Sequence, residues 1–91
     1  MDFKTYVPRY ADIVTAIQWN GENKDEVIEF VEKFTTATVT FSDNDLVVHY
    51  SNGDAMNHMW VTPGWYLMSH SNGMVDTMGP IKFNDFYKPE D

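Results

Sequence analysis

The side chains in this sequence that could do chemistry are three histidines, several turn serines and a few neighbouring aspartates. His49 and His58 flank Ser51-Asn52-Gly53, and Asn-Gly between β-type runs predicts a tight hairpin because both residues tolerate positive φ. Pairing about Asn52-Gly53 sets His49 opposite Met56 and Val47 opposite His58, which makes the two imidazoles diagonal neighbours on one face. Two imidazoles can begin a metal site. A third donor is needed, however, and His70 and Asp76 belong to a different segment. No H-E-x-x-H or comparable spacing is present, so no metal is expected. Ser42, Ser51, Ser69 and Ser71 lie in or beside turn sequences, where hydroxyls serve local hydrogen bonding, and no G-x-S-x-G elbow occurs. Asp43 with Asp45, and Asp54 with Asp76, could pair for acid–base work, but their turn positions suit solvated capping groups better. The five glycines are isolated and build no phosphate loop. The chain therefore reads as non-enzymatic, with no catalytic residue and no cofactor.

The scaffold is small. Ninety-one residues allow one domain (1–91), and the absence of cysteine excludes disulfides, thiolate metal sites and cysteine nucleophiles. Fourteen acidic against six basic residues give a net charge of −8, spread from Asp2 to Asp91. Such a spread favours solubility over the dense rows of charge that a mimic of duplex DNA would need. One arginine and five lysines are a poor footprint for phosphate backbones, so direct nucleic-acid binding is not expected. No apolar run approaches the roughly 20 residues of a membrane span. The first ten residues also lack a signal-peptide core, so the expected setting is cytosolic and away from membranes.

Residues 1–10, with Pro8, read as an N-terminal arm. Asp12 to Trp19 is β-rich and apolar on both faces, which predicts an interior strand that ends at Asn20-Gly21. Asn23, three residues before Glu26, has capping-box spacing. Val27, Phe30, Val31 and Phe34 then form one helical stripe, with acidic residues on the other faces. Beyond Phe34 the period drops to two: Ala37, Val39 and Phe41 alternate with threonines up to a turn at Ser42–Asp45. Two hairpins follow, Leu46–Tyr50 with Asp54–Val61 and Trp65–His70 with Met74–Met78, joined by a type II turn at Thr62-Pro63-Gly64. Residues 81–91 are too apolar for a free tail and predict a short docked segment. The sum is an α+β domain: one amphipathic helix packed on a mainly antiparallel sheet of about six strands, with two consecutive Asn-Gly hairpins.

Trp60, Trp65 and Tyr66 bracket Pro63-Gly64, with Met59 beside them. A domain of this size cannot bury every such group, and exposed tryptophan, tyrosine and methionine are typical interface anchors. Met59, Trp60, Trp65 and Tyr66 are thus the candidate protein-binding residues. An acidic helix face, Glu22, Glu26 and Glu29, is the alternative. An exposed apolar patch also makes a homo-oligomer an open expectation.

The run Ala16-Ile17-Gln18-Trp19-Asn20-Gly21, the acidic apolar helix after it, Val61-Thr62-Pro63-Gly64-Trp65-Tyr66-Leu67 and the closing Phe83-Asn84-Asp85-Phe86-Tyr87-Lys88-Pro89 occur in this order. Together they resemble a family of small tailed-phage and prophage proteins of unknown biochemical function. That family reads A-x-Q-W-x-G, then V-x-P-G-D-[WY], then F-x-x-x-Y-x-P. Trp65 stands where the family has its aspartate, and a cysteine common before the last segment is missing, so roles tied to either do not carry over. The resemblance implies a phage or prophage product in the host bacterial cytoplasm. On that basis the leading expectation is an accessory protein that binds a host macromolecule and inhibits or redirects it. A module that sequesters a nucleotide between aromatic rings is the alternative, and a virion or scaffold component a further one.

Overall fold

A strand with two apolar faces needs cover on both sides, and the architecture supplies it. The computed structural model describes residues 4–8, 14–71 and 73–89. The chain runs β1 (Lys4–Pro8), β2 (Val14–Gln18), α1 (Lys24–Phe34), β3 (Thr38–Ser42), β4 (Asp45–Asn52), β5 (Ala55–Val61), β6 (Tyr66–His70), β7 (Val75–Met78), α2 (Pro80–Phe86) and β8 (Tyr87–Pro89). The fold is α+β, and every strand pairing is antiparallel. The strands form two sheets, one ordered β7-β6-β2-β1-β8 and one ordered β3-β4-β5, where the sequence suggested a single sheet of about six.

β2 lies inside the larger sheet, as its two apolar faces require. On one face Ile17, Leu67 and Val75 join Val27, Phe30 and Val31 of α1 and Leu46, Val48 and Val61 of the smaller sheet, with Trp19 fully buried among them. On the other face Val14, Ala16 and Met68 pack against Phe83 of α2. Among the described residues the expected single helix is therefore joined by a second. Pro80 at the first helical position starts α2, and α2 closes the second core. The docked C-terminal segment predicted for 81–91 is this helix followed by β8; residues 90–91 lie outside the described ones. The N-terminal arm contains a strand: β1 pairs with β2 and β8, while residues 1–3 and 9–13 lie outside the described ones.

The α1 stripe is as expected, with Val27, Phe30 and Val31 buried and Phe34 half-buried. The capping box is not formed. Asn23 is the N-cap residue, but its side chain makes no cap bond. Its Oδ1 accepts from the Asn20 N–H (2.9 Å), and its Nδ2 donates to the Gln18 carbonyl (2.9 Å) and, at 3.5 Å, to Glu26 Oε2. Asn23 thus ties the helix start to the end of β2. At the other end of α1 the buried Ser69 hydroxyl donates to the Phe34 carbonyl at 2.7 Å, satisfying a group that helix ends leave open.

Both hairpins form, with altered loops. Between β4 and β5 the closing pair is Asn52 with Ala55, so the two loop residues are Gly53 and Asp54, not Asn52 and Gly53. Gly53 has φ +67° and Asp54 no positive φ, the pattern of a type II′ turn, which places glycine first. Between β6 and β7 the His70 N–H bonds the Met74 carbonyl and the Gly73 N–H bonds the His70 carbonyl, both at 2.9 Å. The loop is thus three residues long, with Gly73 at φ +85°. The joining turn is the type II turn expected: the Trp65 N–H reaches the Thr62 carbonyl at 2.9 Å and Gly64 has φ +96°.

Candidate protein-binding face

Alternation along β5 decides the fate of the predicted patch. Met59 is opposite Val48 and packs into the main core, whereas Trp60, one residue later, is opposite Val47 and points the other way. Tyr66 faces the second core and stacks on Phe83, with ring centroids 3.9 Å apart and an interplanar angle of 6°. Trp65 is partly exposed, its ring lying over Gly79, where an added Cβ would sit 3.3 Å from the indole. Of the four sequence candidates, Met59 and Tyr66 are packing residues, Trp65 belongs to the β6–α2 junction, and Trp60 stands apart. They do not form one patch.

Trp60 lies on the outer face of the three-stranded sheet. Thr38, His49 and His58 form one row across that face, and Thr40, Val47 and Trp60 the next. Ser51 and Met56 sit beyond the histidines, and Ser42 and Asp45 at the opposite end. Trp60 is 52% exposed and Met56 72%. Val47, between Thr40 and Trp60 across the sheet, is buried at 6%. Among the described residues Asp45 is the one carboxylate in these rows. Alternation from Trp60 through His58 to Met56 puts Met56 on the same face.

His49 and His58 are directly opposite each other, not diagonal, with ring centroids 6.2 Å apart. The Thr40 hydroxyl lies 2.9 Å from His49 Nε2. Among the described residues no group of three or more His, Asp or Glu side chains could hold a metal ion. His70 lies on the other hairpin, 3.9 Å from the Asp76 carboxylate.

No family model, curated protein or solved structure matches the chain.

The alternative acidic face is only partly helical. Glu26 and Glu29 lie on α1, while Glu22 lies in the preceding turn, where its N–H bonds Asn20 Oδ1 at 2.7 Å. Clefts among the described residues open elsewhere. One of about 650 Å³ is lined by Thr15, Lys33, Phe34, His70 and Ser71, and one of about 240 Å³ by Ile28, Glu32 and Val39. Neither is walled by Trp60 or Trp65, so neither offers the aromatic slot that a sequestered base would need.

Proposed function

We propose that this chain is a small non-enzymatic phage or prophage accessory protein that binds a host bacterial protein in the host cytoplasm and inhibits or redirects it. The contact surface is the outer face of β3, β4 and β5. The observation that carries this reading is Trp60, half exposed on the same sheet face as Met56 with His58 between them, where Asp45 is the one carboxylate among that face's described residues, in a chain of net charge −8. Tryptophan truncations dominate interface energetics, typically at about 2 kcal/mol or more, and methionine adapts to irregular partner surfaces. The phage-like motif order supplies the biological setting.

The test is affinity capture from expressing bacteria with wild type, Trp60→Ala and Trp65→Ala. A specific host protein should be retained by wild type and Trp65→Ala and lost with Trp60→Ala, at unchanged melting temperature. Capture of nothing above background across several hosts, or equal capture by Trp60→Ala, overturns the proposal.

A further inference from the structure

Among the described residues β5 ends the smaller sheet, and β4 is the only strand hydrogen-bonded to it. Its backbone polarity follows from the hairpin. In a two-residue turn the first and last residues exchange the hydrogen bond, so Asn52–Ala55 is a bonded pair and bonded pairs recur at every second position. Ala55, Asn57, Met59 and Val61 therefore spend their N–H and C=O groups on β4. Met56, His58 and Trp60 direct theirs outward along the free edge. Edges of this kind are normally blunted by lysine, proline or an inward-pointing charge. Ala55-Met56-Asn57-His58-Met59-Trp60-Val61 contains no lysine, arginine, carboxylate or proline.

We infer that β5 pairs with β5 of a second copy of this chain, antiparallel about a two-fold axis at His58. The edge is self-complementary in that register. His58 meets His58 of the second copy, and Met56 and Trp60 each meet the other's counterpart. All three outward-facing residues thereby exchange backbone hydrogen bonds across the axis. The same pairing sets each exposed thioether beside an exposed indole, a favourable sulfur–aromatic contact. On the inner face Ala55 meets Val61, which extends the apolar cover. A second copy is the occupant the edge favours because its seven residues include no carboxylate, lysine or arginine. Two molecules of net charge −8 therefore set no carboxylate against another along this line. A two-fold axis normal to the sheet keeps both outer faces on one side, so the Trp60 surfaces become continuous over six strands.

Sedimentation from micromolar to near-millimolar concentration tests this independently of any host partner. Wild type should reach twice the chain mass of 10.6 kDa. His58→Asp, which opposes two carboxylates at the axis, should stay at the single mass with its circular dichroism unchanged. The natural chain has no cysteine, so every disulfide in a single-cysteine variant joins two chains. His58→Cys should cross-link under mild oxidation much faster than Ser42→Cys on the opposite edge strand. A single-chain mass for wild type at every concentration overturns the inference and leaves the edge for another protein's strand. A dimer that survives His58→Asp, or cross-links as fast through position 42, overturns it as well.

Discussion

Trp19 joins segments that are far apart in the chain. Its N–H bonds the Trp65 carbonyl at 2.9 Å, its carbonyl accepts from the Gly64 N–H at 2.6 Å, and its indole Nε1–H reaches the Asn44 carbonyl at 2.8 Å. The ring is fully buried, 5.5 Å from that of Phe41. Trp19→Ala should cost about 3–5 kcal/mol, the range for emptying a buried aromatic site, measured by urea unfolding. Ser69→Ala removes the donor to the Phe34 carbonyl and should cost about 1 kcal/mol. Urea midpoints should therefore rank wild type above Ser69→Ala, and both well above Trp19→Ala. At this scale the sequence was legible where a residue belonged to a periodic run. Val27, Phe30 and Val31 are buried as their spacing predicts, but Met59, Trp60, Trp65 and Tyr66 are only neighbours along the chain, and adjacent strand residues point apart.

Turn chemistry governs the elements. Asn-Gly located both hairpins, yet the first loop shifted by one residue because a type II′ turn takes its glycine at the first central position. That change slides the pairing by two, and side chains alternate with period two, so each kept its face. His49 and His58 accordingly share a face as expected, while their relation changed from diagonal to direct. Gly73 gives a clean test of backbone strain, since an added Cβ would meet nothing within 4 Å at φ +85°. Gly73→Ala should lower stability by about 1–2 kcal/mol from the left-handed conformation alone, read as a shift in the denaturant midpoint at unchanged slope. A larger loss or a changed slope would mean that the hairpin itself had rearranged.

For the whole molecule, the five-stranded sheet divides two unequal cores, and the smaller depends on one side chain. Phe83 stacks on Tyr66 and Tyr87 and covers Val14, Ala16 and Met68. Phe83→Ala should cost about 3–5 kcal/mol, a large part of the roughly 5–15 kcal/mol available to a domain. Calorimetry should show a markedly lower midpoint. The split into two sheets was not legible from the chain, because local alternation gives a strand its faces but not its partners. β2 and β6 meet across about fifty residues, and β1 meets β8 across almost the whole chain. The second helix was half legible: the density of apolar residues after Gly79 demanded docking, while a helix so short leaves little periodic signal.

The three tryptophans also serve as native probes. Trp19 is fully buried between the sheets, Trp65 is 40% exposed at the β6–α2 junction, and Trp60 is 52% exposed beside the free edge. Fluorine placed on each indole should give three separate resonances. One would report unfolding, one the seating of α2, and one whatever approaches β5, so that association and loss of structure can be told apart in a single spectrum.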